Sequence, residues 1–514
     1  MPQDDFATAH NYHSDNNELL MQRNLEVSMR ALFELLILVL AAQVHAADWN
    51  SHPALQSFHL EDESLPSTLY LVRTRGSLPA VQGVAVHGQQ NGLFVVSGSE
   101  EDVFRLVPLG CGVYPLTQQS EQQQPEQRTW TYGTEPDPII QEMVDQVNWP
   151  AILDTVNWLV AFGTRYSTAP NREIVAAGIQ SKFSEMGLST ELHAFSYNGT
   201  TLHNVIATQT GTVYPDSFFI LCGHYDSVSG DPFNSAPGAD DNGTGTATVI
   251  TAADILSDYA FKYSIRYICF TGEEQGLRGS AAYAQWAASA GLGIVGVMNC
   301  DMLGYWEPGV EADLEVEANN ASVWLSSAIL NAADLYTETA YELHVDDGAW
   351  WGDHASFWAQ GFHAVNHEEA WDWGDPDFNP YYHTIYDLPE YIGEDFMVAN
   401  VELCVAALAT LAEPDDTGVG EEAHAQAHPG SFTFAPAANP ASGQPSFIIE
   451  GFNGCESAQI EVFDVSGRLL QTLEASLSSG SGVCAWEGSS HRGTYLARIT
   501  AGHRSSSLQF VVVE

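Results

Sequence analysis

Three apolar runs between Phe218 and Asp301 each end in acidic residues or histidine. The runs are rich in β-branched and aromatic residues and alternate with helical patterns, which is typical of strands in a sheet that helices cover on both faces. Ligands of such sheets bind outside the carboxyl ends of the strands, where these clusters fall. Carboxylate oxygens and imidazole are suitable metal ligands. The stretch therefore predicts an α/β domain with a central, mostly parallel β-sheet flanked by helices and a metal site at one edge.

The clusters contain enough ligands for a pair of zinc ions. His224 follows the first run, Asp301 ends the third, and His383 lies far along the chain as a candidate terminal ligand. Asp240 and Asp241 are adjacent on a loop flanked by glycine, and one carboxylate with two oxygens can bridge two ions. Paired zinc ions of hydrolases lie about 3.5–4 Å apart, and each can keep an open position for water and substrate.

A second acidic pair supplies a general base. Glu273 and Glu274 are adjacent and project in different directions, so one can bind metal while the other stays free. A free Glu273 beside a zinc-bridging hydroxide would take a proton and pass it to the leaving amine. Asp226 lies two residues after His224, where a carboxylate can orient the imidazole. This combination predicts metal-assisted hydrolysis of an amide bond.

The segments around these residues resemble the M28 zinc metallopeptidases, and among them the secreted bacterial leucyl-type aminopeptidases. The resemblance covers about residues 150 to 412 and depends on Gly-His224-Tyr-Asp226-Ser, Pro-Gly-Ala-Asp240-Asp241-Asn-Gly, Thr-Gly-Glu273-Glu274-Gln-Gly-Leu-Arg-Gly-Ser, Asn-Cys-Asp301-Met and His383-Thr-Ile-Tyr-Asp387. It implies an aminopeptidase with two zinc ions. The zinc ligands that it implies are His224 with Asp301, Glu274 with His383, and Asp240 as the bridge.

The same resemblance implies Glu273 as the general base and Asp226 as the residue that orients His224. It also implies a strained Asp240–Asp241 peptide, for which the cis form is an alternative. The segment 346–351 departs from the family, because it lacks the disulfide loop and the tyrosine that leucyl-type members often carry there. Trp350 and Tyr386 are the candidates for the missing hydrogen bond to the oxyanion.

The aromatic residues from Trp350 to Tyr382 favour an apolar pocket for the N-terminal residue of a peptide substrate. A glutaminyl-cyclase-like acyltransferase and a carboxypeptidase of the same family are the enzymatic alternatives. A binding protein with an inactive site is the alternative from another class, and the intact ligand set speaks against it.

Composition limits the partners of the chain. It contains 16 Lys and Arg against 66 Asp and Glu, for a formal net charge of -50. A surface of this charge repels polyanions, so we expect peptide substrates and neither nucleic acid nor anionic membrane as partners. We expect a monomer.

The length of 514 residues requires several domains. An apolar run after Met29 predicts a signal peptide at 29–46 and a secreted or cell-surface protein that is not inserted in the membrane after signal removal; an N-terminal anchor is the alternative. The predicted segments are an extension with the signal peptide at 1–46, a β-rich pro-region with its linker at 47–130, a peptidase domain at 135–412, a linker at 413–430 and a small β-sandwich at 431–514. An accessory β-domain that stays in the mature chain is the alternative to a pro-region.

The C-terminal region has a resemblance of its own. Asn439-Pro440-Ala441 and the strand patterns at 462–470 and 493–498 resemble the sorting domain of the type IX secretion system or a related immunoglobulin-like module. The resemblance implies contact with an export machinery. A plain adhesion or spacer module is the alternative.

Overall fold

The protein was analysed as a computed structural model. It describes residues 49, 52–58, 60, 65–116, 133–307, 309–310, 313–370, 376–415, 433–436, 441–442, 445–450, 457–464, 469–478, 481–486, 493–501 and 504–513. The predicted signal peptide at 29–46 and the glutamine-rich linker within 47–130 lie outside these residues. The chain divides into two compact units, Met1–Pro414 and Asp415–Glu514.

The N-terminal module, residues 65–116, is an antiparallel sheet of four strands in the order β2-β3-β1-β4. Its β1 strand is buried on both faces: Leu69 and Leu71 share a core with the peptidase domain, while Tyr70 and Val72 pack inside the module. The module therefore lies directly on the peptidase domain. Its elements are β1 (Leu69–Arg73), β2 (Ala85–Gln90), β3 (Leu93–Ser97), α1 (Glu100–Val103), a 3-10 helix (Phe104–Leu109) and β4 (Gly112–Leu116); a further 3-10 helix, Pro53–Leu55, precedes them.

The peptidase domain is built on an eight-stranded sheet in the order β11-β10-β12-β9-β7-β8-β6-β5. Its centre is parallel, because β8, β7, β9 and β12 run in the same direction. The prediction of a mostly parallel central sheet is confirmed. The strands are β5 (Ser189–Tyr197), β6 (Thr200–Gln209), β7 (Tyr214–His224), β8 (Tyr263–Phe270), β9 (Gly293–Cys300), β10 (Leu314–Ala318), β11 (Tyr341–Val345) and β12 (Ala364–Glu368).

Helices cover both faces of this sheet, as the apolar strands require. Successive residues of β7 alternate between the two cores: Phe219 and Leu221 lie in one, Ile220 and Cys222 in the other. The helices are α2 (Pro138–Val144), α3 (Trp149–Val160), α4 (Arg172–Glu185), α5 (Gly243–Leu256), α6 (Arg278–Ala290), α7 (Val323–Tyr336), α8 (His354–Trp358) and α9 (Glu394–Ala412), with 3-10 helices at Asn320–Ser322 and Pro389–Tyr391.

Helix α9 is the longest of the described helices and lies against the sheet. Its length and composition would allow it to cross a membrane, and in this respect it stands alone among the described residues. The helix is nevertheless a core element, since 67% of its most apolar window is buried inside the protein. Leu403, Val405 and Leu408 belong to the same core as Phe219.

The C-terminal unit contains two sheets, a three-stranded one (β13-β15-β18) and a five-stranded one (β14-β20-β19-β16-β17). Phe447 and Ile449 of the first sheet share a core with Ile460 and Ile499 of the second. The predicted β-sandwich is therefore present. Its strands are β13 (Thr433–Pro436), β14 (Ala441–Ser442), β15 (Ser446–Glu450), β16 (Ser457–Asp464), β17 (Leu469–Ser476), β18 (Gly482–Ala485), β19 (Gly493–Ala501) and β20 (Arg504–Val513).

Candidate metal centre

The carboxyl ends of three neighbouring parallel strands bring the predicted ligands together. His224 is the last residue of β7, Asp301 follows β9, and the turn after β8 carries Glu273 and Glu274. The loop before α5 completes this edge, and Asn242 caps the helix because its side-chain oxygen accepts the N–H of Gly245 at 2.8 Å. The sheet and one helix start therefore fix the positions of these residues, whereas His383 lies on the segment before the 3-10 helix Pro389–Tyr391.

Two histidine–carboxylate pairs share one aspartate. His224 Nε2 lies 3.3 Å from Asp301 Oδ1 and 3.4 Å from Asp241 Oδ1. His383 Nε2 lies 2.8 Å from Glu274 Oε2 and 3.2 Å from the other Asp241 oxygen, Oδ2. All five side chains are at least 85% buried. Asp241 thus presents one oxygen to each half of the site.

The donor atoms fit metal ions better than they fit one another. His224 Nδ1 lies 3.1 Å from the Asp226 carbonyl, a contact in which the ring nitrogen donates, so Nε2 of the neutral ring turns a lone pair toward two carboxylates. The close contacts of His383 Nε2 with Glu274 and Asp241 do not have the geometry of hydrogen bonds, and His383 Nδ1 has no hydrogen-bond partner. Glu274 Oε1 has none either. Nitrogen and oxygen atoms in this arrangement are the ligands that zinc prefers.

The electrostatics of the cluster also favour bound positive charge. Burial opposes a charged His383, but Glu274 and Asp241 outweigh burial and raise the imidazole pKa to about 10. Burial would likewise raise the pKa of Asp241, but its contacts with His224 and His383 bring the pKa below its usual range. Burial and the nearby Asp241 carboxylate raise the pKa of Glu274 to about 7. The carboxylates accordingly stay charged only where a cation faces them.

Asp240, which we predicted as the bridging ligand, does not face the histidines. Its carboxylate accepts hydrogen bonds from Gly304 N at 3.0 Å, from Asn379 Nδ2 at 3.0 Å and from Thr244 Oγ1 at 3.2 Å. These three donors satisfy Asp240 inside the protein, so the prediction for this residue is wrong. Asp241 instead lies between the two histidines. The cis peptide also lies one residue further on than the resemblance implies, at Asp241–Asn242.

The Asp387 carboxylate binds the backbone of the loop that carries Asp240 and Asp241. Its oxygens accept the backbone N–H groups of Asp240 at 3.1 Å and Asp241 at 3.0 Å. Glu369 lies near Asp240 and accepts the N–H groups of Tyr305 and Asn379 at 2.8 and 2.9 Å.

Glu273 lies at the margin of the ligand cluster, where its carboxylate is near His224 and Asp301. Its Oε2 is 3.9 Å from His224 Nε2, further away than the nearest oxygens of Asp241 and Asp301. Burial raises its pKa well above the usual range, and the neighbouring charge of Asp301 adds to this effect. Asp226 accepts the backbone N–H of Glu273 at 3.3 Å, while its Oδ1 lies 3.6 Å from His224 Nδ1. The backbone carbonyl of Asp226 is therefore closer to the imidazole than its carboxylate is.

The two candidates for the oxyanion hydrogen bond are poorly placed. The indole N–H of Trp350 donates to the Asp347 carbonyl at 2.8 Å, and Tyr386 is 59% exposed. Two other tyrosines lie close to the cluster. Tyr382 stacks on His383 with ring centroids 3.7 Å apart. Tyr114 of the N-terminal module is buried, and its burial together with the charges of Glu273 and Asp301 raises its pKa.

Sequence reasoning also missed a second acidic group next to the ligands. Glu317 and Glu368 are both buried, and Arg73 of the module reaches Glu368 at 3.3 Å. The sequence contained one signal for this group. Leu69 and Leu71 of β1 face the peptidase domain, and Arg73, two residues further on, takes the next position on the same face of the strand.

Comparisons with known proteins agree with the fold. The family model of peptidase family M28 matches residues 204–408. A probable zinc metalloprotease of Pyrenophora teres f. teres is 30% identical over 233 residues, which are 39% of this chain and 50% of that protein. Aminopeptidase YwaD of Bacillus subtilis is 31% identical over 221 residues, 41% of this chain and 45% of that protein. The chain thus spans about half the length of these curated relatives.

Among solved structures, the LapA aminopeptidase of Legionella pneumophila superposes with a TM-score of 0.53 at 20% identity, over 67% of this chain and 98% of that one. LapB of the same organism gives a TM-score of 0.52 at 17% identity, over 67% and 99%. The fold is that of these solved structures. Residues 204–408 of the chain are similar to the zinc metallopeptidases of family M28.

Proposed function

We propose that the protein is an aminopeptidase that holds two zinc ions and removes the N-terminal residue from peptides. The observation that carries this proposal is the position of Asp241 between two histidine–carboxylate pairs, with its oxygens 3.4 and 3.2 Å from His224 and His383. A carboxylate that turns one oxygen to each of two histidines is suited to bridge two metal ions. The name of the Bacillus subtilis relative, an aminopeptidase, supports the same activity.

Each ion has its own ligands in this proposal. His224 and Asp301 would hold one, His383 and Glu274 would hold the other, and Asp241 would serve both. Zinc ions, when bound, supply Lewis acidity toward the peptide carbonyl and a water molecule that ionises near neutral pH.

Glu273 is the proposed general base. Its carboxylate is buried beside His224 and is not engaged as a ligand, so it can accept a proton from the attacking water. The same carboxyl group then gives the proton to the departing amine nitrogen. Asp226 fixes this residue through the Glu273 backbone N–H and fixes His224 through its own carbonyl.

The location and processing of the chain are part of the proposal. The run at 29–46 supports secretion or display at the cell surface. The β-strands of the C-terminal unit are compatible with a sorting domain that contacts an export machinery, and the two linkers are compatible with removal of the flanking segments. We propose that the enzyme acts as a monomer.

The test uses the full chain loaded with zinc, before and after limited proteolysis. We expect two zinc ions per chain and release of p-nitroaniline from amino-acid p-nitroanilides, with no cleavage of N-acetylated peptides. Glu273→Gln should lower kcat by about 10³-fold while zinc content stays at two. The exposed Glu185→Gln is the charge-matched control. Cyclisation of N-terminal glutamine without p-nitroanilide hydrolysis would instead show the acyltransferase alternative.

A further inference from the structure

Two buried glutamates lie one strand away from the metal centre. Glu368 ends β12, and the Asp301 N–H donates to the carbonyl of its neighbour His367 at 3.0 Å. Adjacent strands are about 4.8 Å apart, so the Glu368 backbone is next to a proposed zinc ligand. Asn366 connects the two acids, since its Nδ2 lies 3.2 Å from Glu317 Oε2 and 3.4 Å from Glu368 Oε2.

A guanidinium group from the N-terminal module occupies this acidic pocket. Arg73 Nη1 lies 3.3 Å from Glu368 Oε1, and the guanidinium carbon lies 4.7 Å from the centre of the Trp351 ring. The indole N–H of Trp351 in turn donates to Glu317 Oε1 at 3.0 Å. Carboxylates on one side and an aromatic face on the other are the contacts that a planar guanidinium prefers.

The pocket belongs to the peptidase domain, whereas its occupant does not. Glu317, Trp351 and Glu368 all lie within the family match at 204–408, and Arg73 lies more than a hundred residues before it. A buried arginine and two carboxylates lose hydration that an apolar side chain in the same place would not lose. Packing of the module alone therefore does not explain two acids beside the reaction centre.

The pocket is also within reach of a substrate. The carbonyl to be cleaved must lie at the metal centre, and the side chain of the first residue starts one atom away from that carbonyl. Arginine and lysine have long side chains, and the strands that lead to Asp301 and Glu368 are neighbours, about 4.8 Å apart. A cationic first residue can therefore place its charge between Glu317 and Glu368.

We propose that Glu317 and Glu368 form the pocket for a cationic N-terminal side chain, arginine above all, and that Arg73 fills it as an internal substitute. The proposal rests on the aminopeptidase function above and replaces the predicted apolar preference with a basic one. It also gives the module a definite effect: while Arg73 is in place, an arginyl substrate has no room for its side chain.

The first arm of the test does not need catalysis. In the full chain, Arg73→Ala opens the pocket, and ethylguanidinium at millimolar concentration should raise the Tm of this variant by about 2 °C or more. Ethylammonium should act less, because it lacks the planar group. Neither compound should raise the Tm of the wild type or of Arg73→Ala/Glu368→Gln. An equal response of all three proteins to ethylguanidinium would overturn the proposal. If Arg73→Ala does not fold, Arg73→Gln takes its place, since it removes the charge and leaves the guanidinium position open while keeping part of the side chain.

The second arm measures selectivity. The ratio of kcat/KM for arginine p-nitroanilide to that for leucine p-nitroanilide should exceed one in Arg73→Ala and fall about tenfold or more in Arg73→Ala/Glu368→Gln, the usual loss for a hydrogen bond to a charged group. Arg73→Ala/Glu185→Gln is the control and should keep the ratio. A preference for leucine in Arg73→Ala, or an unchanged ratio on loss of Glu368, would refute the pocket. Absence of all hydrolysis in zinc-loaded protein would refute the aminopeptidase function, and the first arm would still decide on the pocket.

Discussion

The metal centre and the acidic pocket are two clusters of buried carboxylates at the same edge of one sheet, and they differ in what neutralises them. In the metal centre, the side chains opposite the carboxylates are the imidazoles of His224 and His383, and these are neutral when they act as ligands. In the pocket, the opposite group is the permanently charged guanidinium of Arg73. Burial of like charges is costly in both places, so each cluster needs a cation.

The geometry of each cluster indicates which cation it takes. In the metal centre, the imidazole Nε2 atoms lie 2.8–3.4 Å from single carboxylate oxygens, so nitrogen and oxygen atoms are grouped around positions the size of one ion. In the pocket, the Trp351 ring forms a flat wall next to Glu317 and Glu368. Point-like ions suit the first arrangement and a planar group suits the second. Acidic residues alone therefore do not distinguish a metal site from a site for a cationic side chain; the groups between them do.

The largest effect on stability should come from removal of the internal cation. Arg73→Met leaves Glu368 buried without its partner, so we expect a loss of about 3 kcal/mol in the free energy of unfolding. Arg73→Met/Glu368→Met removes both charges and should recover most of that loss. Urea unfolding followed by tryptophan fluorescence measures both values. If the double variant is no more stable than the single one, the two residues do not form a coupled pair.

A matched pair of adjacent aspartates tests the other cluster. Asp241→Asn should weaken zinc binding by about 100-fold or more, whereas Asp240→Asn, which changes a residue behind the ligands, should weaken it by about 10-fold. Competition with a chelator followed by metal analysis gives both affinities. Equal losses in the two variants would contradict the bridging position of Asp241.

These two aspartates also show how far the sequence could lead. The parallel strands and the convergence of His224 and Asp301 could be predicted, because apolar runs followed by ligands determine where a sheet presents its polar residues. The choice between Asp240 and Asp241 could not, since both share one motif and only the contacts of Asp240 with Gly304 and Asn379 separate them.

The acidic pocket was even harder to predict from the sequence. Arg73 and Glu368 are 295 positions apart, and they meet only because the module lies on the peptidase domain. Periodicity describes one strand at a time. It cannot show which strand of another sheet will face a given residue, so the partner of a buried charge at long range remains invisible until the two sheets are placed together.

A pH dependence should distinguish the pocket further. Burial raises the pKa of Glu317 to about 7, and the charge of Arg73 only partly offsets it. The folded state thus keeps a proton that the unfolded chain releases near pH 4.5, so this contribution to stability is complete below pH 4.5 and is lost as the pH rises through 7. Glu317→Gln cannot titrate. Relative to the wild type, it should gain on the order of 2 kcal/mol of stability between pH 5 and pH 8. Thermal unfolding across this range measures the gain, and a constant difference would refute the raised pKa.

The smallest effect should come from an ion pair that the protein does not bury. Lys262 Nζ lies 2.9 Å from Glu413 Oε2, closer than Arg73 is to Glu368, but the two side chains are 36% and 39% exposed. Water and salt screen this pair, so a double-mutant cycle with Lys262→Ala and Glu413→Ala should give a coupling of about 0.5 kcal/mol that disappears in 0.5 M NaCl. The coupling between Arg73 and Glu368 should be several times larger and should persist in the same salt, because these two side chains are only 6% and 7% exposed. Equal salt sensitivity of the two couplings would mean that the pocket is open to water, and burial would then not be what sets the two pairs apart.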